Sequence, residues 1–169
     1  MPRAVFVIPH HAYRAEELER PREALAAAGV EVLVASSSLG PASDMSGARG
    51  CEPDLLYSAV DPSDLDALVF VGGTGSAEYF DDRTAHGLAQ AALSQGKLVA
   101  AICFAPSILA NAGLLEGRRA TCAPARRAHL AAHGVELVDA AEVRDGALLT
   151  GRGPEDSEAF ARALLEALA

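Results

Sequence analysis

The chain has 169 residues, of which 50% are hydrophobic, and a formal net charge of −9 at pH 7. That length suits one domain over residues 1–169, and no apolar run reaches the roughly 18 residues that a membrane span needs. The acidic balance argues against nucleic acid and anionic membranes as partners, because both are bound through basic surfaces.

The first part of the chain predicts a strand, a helix and a second strand. Residues 4–9 form a continuous apolar run, which is typical of a strand buried on both faces. Residues 14–28 carry apolar side chains at helical spacing and are followed by Gly29, a residue that commonly ends a helix. Residues 30–35 are apolar again. This order predicts two parallel strands joined by a right-handed crossover.

The next segment is irregular before the alternation resumes. Residues 36–63 are rich in Ser, Gly, Pro and Asp, and we expect an excursion with a small hairpin. A strand over 65–71 then ends in G-G-T-G at positions 72–75, and a helix over 85–93 follows. Glycine after a strand permits a close backbone approach. No phosphate-binding motif follows it, so we predict no nucleotide site.

Position 103 has the sequence context of a nucleophile. The apolar run that begins at Leu98 stops at Cys103, and Pro106 opens a helix that ends before Gly113. A sharp turn between a strand and a helix holds its side chain beside the helix N-terminus, which favours a thiolate. The alternative is an inert packed thiol, because free Cys is among the most buried residue types.

The last part of the chain completes an α/β pattern. It predicts a short strand at 120–122, a helix over 124–133, a strand at 135–138, a hairpin within 142–150 and a final amphipathic helix from Pro154. The predicted fold is an open, mostly parallel sheet sandwiched between helices. Sites in such folds form at the carboxyl ends of the strands.

Cysteine usage and motif content limit the chemistry further. Three cysteines without framework spacing suit a reducing compartment. The first ten residues lack the basic start and cleavage site of a secretory signal, so we expect a cytoplasmic protein. No C-x-x-C, H-E-x-x-H or Cys/His cluster occurs, and we predict neither a metal nor a cofactor.

Three motifs follow one another along the chain. They are D-A-L-V-F-V-G-G-T-G at 66–75, A-A-I-C-F-A-P-S-I-L-A-N-A-G-L-L-E-G-R-R-A-T at 100–121 and D-G-A-L-L-T-G-R-G-P at 145–154. Together they resemble the ThiJ/PfpI superfamily, which includes archaeal intracellular proteases, a Parkinson-associated chaperone/deglycase and class I glutamine amidotransferase-like relatives. The resemblance implies a flavodoxin-like, class I glutamine amidotransferase-like fold with a nucleophile elbow. It also implies a homodimer or a larger homo-oligomer.

The resemblance assigns roles to four positions. The nucleophile is Cys103, and the glutamate that contacts its sulfur is Glu17, which is followed four residues later by Pro21. An ionised carboxylate beside a thiolate would repel it, so we expect Glu17 to be protonated and to donate to the sulfur. The backbone N–H groups of Gly73 and Phe104 are the implied oxyanion donors.

Both histidines that relatives carry near the nucleophile are missing. Phe104 stands where the protease branch has a His, and Cys122-Ala123-Pro124 stands where the chaperone/deglycase branch has T-H-P. A cysteine without an imidazole base is less suited to peptide hydrolysis, since the leaving amine needs a proton donor.

Other side chains are expected near the same sheet edge. His10 and His11 follow the first strand and are candidates to replace the missing imidazole, and Tyr13 is a candidate pocket hydroxyl. Gly72 precedes the oxyanion position, and Cys122 is expected either to line the pocket wall or to pack within a strand.

Three functions are compatible with these residues. The first is an enzyme of glyoxalase or deglycase type, a hydrolase or lyase in which Cys103 attacks a small carbonyl compound and Glu17 shuttles the proton. The second is a stress-response redox sensor or chaperone-like protein, in which an oxidant converts Cys103 to a sulfinate. The third, an intracellular cysteine peptidase, is disfavoured by the missing histidine.

Overall fold

Strands and helices alternate along residues 1–169, all of which are described by a computed structural model. The strands are β1 Arg3–Val7, β2 His11–Tyr13, β3 Glu31–Ser36, β4 Ser43–Asp44, β5 Leu55–Leu56, β6 Ala67–Phe70, β7 Leu98–Ile102, β8 Arg119–Ala120, β9 Glu136–Leu137, β10 Glu142–Asp145 and β11 Leu148–Gly151. The helices are α1 Ala15–Ala27, α2 Arg83–Ser94, α3 Pro106–Asn111, α4 Arg127–Ala132 and α5 Ser157–Leu168. No helix is both long enough and apolar enough to cross a bilayer.

Seven strands form one sheet in the order β10-β11-β7-β6-β1-β3-β5. Every neighbouring pair is parallel except β10 and β11, which form an antiparallel hairpin around Asp145 and Gly146. Gly146 has a φ of 63°, a conformation that glycine adopts without steric cost. The predicted open, mostly parallel sheet is confirmed.

Hydrophobic side chains alternate between the two faces of the sheet. Val5 and Val7 of β1 pack in a cluster with buried residues of α2, α3 and α4. Phe6, between them, points to the opposite face and packs with buried residues of α1 and α5. Because both faces are covered by helices, the central strands are apolar at every buried position, which explains the continuous runs in the sequence.

The structure departs from the predicted elements in three places. The first is β2, which follows β1 directly and pairs in parallel with β4 in a two-stranded sheet. The excursion over 36–63 contains a tight turn closed by an antiparallel bridge between Ser43 and Arg49, but it also contributes the unpredicted edge strand β5. Strands β8 and β9 pair with each other in a separate two-stranded sheet instead of joining the main one. Strands β5, β8 and β9 have two residues each, which is too short for an alternating pattern to reveal their partners.

The strand registers align the segments that follow the central strands. Val7, Phe70, Ala101 and Thr150 lie side by side across β1, β6, β7 and β11. The four strands are parallel and end at nearly the same level. The loops that follow them therefore meet at one carboxyl edge of the sheet.

Candidate active site

Cys103 occupies a strained turn between β7 and α3. Its φ of 67° is in the left-handed region, which costs a residue with a side chain roughly 1–2 kcal/mol. Its N–H donates to the carbonyl of Gly151 at 2.9 Å, and its own carbonyl accepts from the N–H of Ala123 at 2.8 Å. These two bonds hold the turn, so the expected nucleophile elbow is present in the geometry.

The thiol lies at the edge of a cavity of about 360 Å³. The side chain of Cys103 is largely buried, with 9% of its surface exposed, yet it reaches this space. The lining residues come from six segments of the chain at the carboxyl edge of the sheet: Arg14, Met45, Gly73, Thr74, Cys103, Phe104, Ala123, Pro124, Arg152, Gly153, Pro154 and Glu155. We call this space the Cys103 cavity. No cluster of three or more His, Cys, Asp or Glu side chains could hold a metal ion.

Glu17 projects from α1 into the interior beneath the cysteine. The residue is fully buried, and its Oε1 accepts a hydrogen bond from the N–H of Gly72 at 3.0 Å. Its Oε2 is buried without a hydrogen-bond partner, and the carboxyl group faces the Cys103 thiol. Burial raises the pKa of Glu17 to about 8. A pKa near 8 keeps the carboxyl group mostly protonated at neutral pH.

Gly72 lies between the side chains of Glu17 and Cys103. A Cβ at this position would lie 2.5 Å from Oε1 of Glu17, 2.6 Å from the carbonyl oxygen of Ile102 and 2.7 Å from Cβ of Cys103. All three separations are shorter than van der Waals contact. Only glycine leaves room for the carboxyl group to reach the turn.

A second glycine, Gly73, allows the backbone of residues 12–14 to pass close to the residues beside Cys103. Gly73 has a φ of 103°, and a Cβ there would collide with the carbonyl of Ala12 and with the N–H of Arg14. The N–H of Arg14 donates to the carbonyl of Gly72 at 3.0 Å. These contacts fix the start of α1, which sets the direction in which Glu17 enters the interior.

Two backbone N–H groups point at the sulfur, those of Gly73 and Phe104. Both lower the pKa of the Cys103 thiol, but burial and the neighbouring carboxyl group of Glu17 raise it more, to about 12. The sequence predicted that the helix N-terminus would favour the thiolate and so lower the pKa of Cys103. The raised pKa is opposite to that prediction. The reason is that the sulfur is largely removed from water, while α3 has only six residues and a correspondingly short dipole.

The two histidines expected near the site are directed elsewhere. The ring of His10 is hydrogen-bonded through Nε2 to the carbonyl of Gly40 at 2.8 Å. The ring of His11 is hydrogen-bonded through Nδ1 to Oγ of Ser43 at 3.2 Å. Neither lines the Cys103 cavity. Their predicted place at the cavity is wrong, because the excursion that follows β3 offers both rings closer partners.

Tyr13 and Cys122 also lie outside the cavity. The hydroxyl of Tyr13 accepts a hydrogen bond from the N–H of Cys51 at 2.9 Å, and its ring is fully buried. Cys122 packs in the hydrophobic cluster on the other face of the sheet from Cys103. It is the next residue, Ala123, that lines the cavity. The packing alternative for Cys122 is therefore the correct one.

Sequence reasoning missed two residues on the α1 side of the cavity. Arg14 pairs with Glu16 at 3.0 Å, and its Nη1 donates to the sulfur of Met45 at 3.6 Å. Met45 is 42% exposed and belongs to the excursion after β3. Arg14 directly follows β2 and precedes Glu17 by three residues, which was a usable signal. Nothing in the sequence around Met45 indicates its position.

The opposite wall comes from the residues that follow β11. Arg152 bridges Oδ1 of Asp139 at 3.1 Å and Oδ2 of Asp156 at 3.0 Å. Glu155 lies beside it on the cavity wall. Both residues belong to the segment that begins at Gly151, and β11 is the parallel neighbour of β7. The adjacency of the two strands therefore explains why this segment meets Cys103.

Comparison with known proteins gives a consistent result. The model of the DJ-1/PfpI family matches residues 2–167. A deglycase of Pyrococcus horikoshii is 36% identical over 152 residues, which cover 90% of this chain and 91% of that protein. The protein dj-1beta of Drosophila melanogaster is 34% identical over 158 residues, which cover 92% of this chain and 84% of that one.

The fold agrees with these matches. The crystal structure of a ThiJ/PfpI domain protein from Brachyspira murdochii superposes with a TM-score of 0.94 at 32% identity, and the match covers 98% of this chain and 95% of that one. The resemblance drawn from the three sequence motifs is confirmed. The chain belongs to the DJ-1/PfpI family.

Proposed function

We propose that the protein is a cysteine-dependent enzyme that converts small reactive carbonyl compounds such as methylglyoxal, with Cys103 as nucleophile and Glu17 as proton shuttle. The observation that carries this proposal is the buried, unpartnered Oε2 of Glu17 facing a thiol at the edge of an open cavity. The deglycase name of the relative from Pyrococcus horikoshii supports the same class of activity.

The reactive state arises when the Glu17 and Cys103 pair loses one of its two protons. Burial raises the pKa of both groups, so most molecules hold both protons of the pair at neutral pH. Loss of one proton near the pKa of Glu17, about 8, leaves a single proton between sulfur and carboxyl. When the carboxyl group keeps it, the sulfur is a thiolate that accepts a hydrogen bond from a neutral acid.

The thiolate of Cys103 then adds to the aldehyde carbon of methylglyoxal. A carbon–sulfur bond forms, and the π electrons of the carbonyl move onto its oxygen. In this proposal the N–H groups of Gly73 and Phe104, which point at the sulfur, stabilise that charge. The oxyanion takes the proton of Glu17, which gives a hemithioacetal and leaves a carboxylate.

The carboxylate of Glu17 next moves a proton between the two substrate carbons. It accepts the proton from the carbon bonded to sulfur and returns it to the neighbouring carbon, while the hydroxyl proton of the hemithioacetal passes to the former ketone oxygen. The hemithioacetal thereby becomes a lactoyl thioester of Cys103. Water hydrolyses the thioester to lactate and the free thiol. No external oxidant or reductant takes part, because one carbon is oxidised while its neighbour is reduced.

Replacement of Cys103 tests this function. We expect Cys103→Ser to form lactate from methylglyoxal no faster than the uncatalysed reaction, because the thiolate is the group that attacks. The matched control is Cys51→Ser, which alters a thiol outside the Cys103 cavity and should keep wild-type turnover. Lactate is measured enzymatically after the protein is removed. Equal turnover by Cys103→Ser and wild type would refute the proposal.

The second candidate function is redox sensing through the same thiol. The unpartnered Oε2 of Glu17, when protonated, can donate to a sulfinate oxygen on Cys103, and the N–H groups of Gly73 and Phe104 can bind the same anion. Two equivalents of peroxide supply the two oxygens and leave two waters.

Intact mass after mild peroxide treatment tests the sensing function. We expect the wild-type protein to gain two oxygens and then stop, because the hydrogen-bonded sulfinate resists further oxidation. Cys103→Ser should gain none under the same conditions. A gain that persists in Cys103→Ser, or that continues to three oxygens in the wild type, would contradict a stabilised sulfinate.

Peptide hydrolysis is not proposed. No histidine lines the Cys103 cavity, and Phe104 and Ala123 occupy the positions where relatives are expected to carry one. The homo-oligomer implied by the resemblance and the cytoplasmic location remain predictions.

A further inference from the structure

Glu155 is the one carboxylate among the residues that line the Cys103 cavity. A Cβ on Gly153 would lie 3.3 Å from Oε2 of Glu155, so the carboxyl group folds back over a residue of the cavity wall. It forms no hydrogen bond and no ion pair within the chain. An unpaired, solvent-accessible carboxylate therefore belongs to the wall of the Cys103 cavity.

The two cations of the cavity do not neutralise this carboxylate. Arg14 is paired with Glu16, and Arg152 is bridged to Asp139 and Asp156. A guanidinium has five N–H donors and no acceptor, so neither arginine can serve as a base.

The remaining candidates for proton transfer on the open side are few. Thr74 offers a hydroxyl, which is too weak a base for this task. Glu17 is fully buried, so it reaches the sulfur and the substrate carbon bonded to it only from the interior side, beneath Gly72. A water molecule that enters from solvent reaches the thioester from the opposite, open side. Glu155 is the one group on that side able to accept its proton.

We propose that Glu155 is a catalytic residue, the general base that activates the water which hydrolyses the acyl-Cys103 thioester. This rests on the proposed function. The carboxylate accepts a proton from water as the water oxygen bonds to the acyl carbon. The carbon–sulfur bond then breaks, its electron pair returns to sulfur, and the proton passes from Glu155 to the leaving thiolate. Glu155 thus performs the task of the missing imidazole in the second half of the reaction.

A purely structural role for Glu155 makes a different prediction. Glu155 lies in the turn that leads into α5, where an acidic side chain stabilises the helix N-terminus through its dipole. Glu158 lies in the first turn of α5 and is exposed, but it does not line the Cys103 cavity. Glu158→Gln therefore removes a comparable helix contribution and leaves the cavity intact.

The test follows acylation and turnover separately in the full chain. Wild type, Glu155→Gln, Glu155→Asp and Glu158→Gln are mixed with methylglyoxal, quenched at intervals and analysed by intact mass. A thioester is identified as an adduct of one methylglyoxal unit on Cys103 that hydroxylamine removes. Lactate is measured in parallel, and thermal unfolding verifies that each variant is folded.

We expect Glu155→Gln to form the adduct at the wild-type rate and to release lactate about 100-fold more slowly, so that the adduct accumulates. Glu155→Asp should recover part of the turnover, and Glu158→Gln should behave as wild type. Equal turnover by Glu155→Gln and Glu158→Gln would overturn the assignment, and so would loss of adduct formation in Glu155→Gln. If the proposed Cys103-dependent activity itself is wrong, the wild type will form neither adduct nor lactate. That result differs from both outcomes that would overturn the role of Glu155.

Discussion

Glu17→Gln is expected to stabilise the protein by about 3 kcal/mol at pH 7. Folding places the carboxyl group in the interior, where its pKa rises to about 8 from a model value of 4.5. At pH 7 the unfolded chain carries an ionised Glu17, which must take up a proton as the chain folds. A glutamine avoids that cost, and its amide oxygen can keep the hydrogen bond from Gly72.

The stability gained by Glu17→Gln is expected to increase with pH. Between pH 4.5 and about 8 the native state holds a proton on Glu17 that the unfolded state has lost, so wild-type stability falls by about 1.4 kcal/mol per pH unit. Below this window both states are protonated, and the advantage of Glu17→Gln disappears. Urea midpoints measured from pH 4.5 to 8.5 should therefore diverge as the pH rises.

The same substitution should remove catalysis. Glutamine can donate a hydrogen bond to the sulfur, but it cannot accept and return a proton, so lactate formation should fall at least about 100-fold. Glu16→Gln is the control, since it breaks an exposed ion pair with Arg14 and should change stability by less than about 1 kcal/mol. A Glu17→Gln protein less stable than wild type at pH 7 would mean that the carboxyl group is ionised in the fold.

Gly72→Ala is expected to destabilise the protein by about 3 kcal/mol and to abolish lactate formation. The new methyl group would overlap Oε1 of Glu17, the carbonyl oxygen of Ile102 and Cβ of Cys103. The backbone at Ile102 cannot retreat easily, because its carbonyl accepts the N–H of Ala105 within the turn. Relief must come from separating Glu17 and Cys103, which breaks the proton-sharing pair.

Gly87→Ala supplies the matched control for that experiment. Gly87 lies within α2 on the exposed surface, and a Cβ there would meet no atom within 4 Å. Alanine has the higher helix propensity, so this variant should gain up to about 1 kcal/mol. Chemical denaturation of both variants distinguishes the two effects, which have opposite signs. A Gly72→Ala protein as stable as wild type would contradict the packing described at the site.

The sequence predicts the sheet well because its central strands are covered on both sides. Burial of both faces makes residues 4–9, 67–71 and 98–102 continuously apolar, and each run is bounded by a loop or a helix signal. The paired two-residue strands carry no such pattern. Their pairing depends on backbone hydrogen bonds made after the larger elements have packed, so β5 could not be predicted.

Prediction of which residues lie together at the candidate site was most direct where a backbone conformation constrains the residue type, and their catalytic roles remain predictions. Cys103, Gly72 and Gly73 each lie directly after a buried strand, and the structure brings them together with Glu17. It failed for His10 and His11, whose rings find partners within the excursion. Side-chain direction in an irregular loop depends on neighbours distant in the chain. Met45 and Glu155 also lie in segments that connect strands and α-helices, so their places on the cavity wall could not be predicted from the sequence.

The two backbone hydrogen bonds at Cys103 have a consequence for how this fold can change its chemistry. The carbonyl of Gly151 and the N–H of Ala123 are hydrogen-bonded only to main-chain atoms of Cys103. The conformation of the turn therefore does not depend on the sulfur. Mutation can therefore exchange the reactive atom while its supports stay in register. A serine, aspartate or selenocysteine at position 103 is therefore expected to keep the conformation of the turn. New activities can evolve at this position without a change in the loop.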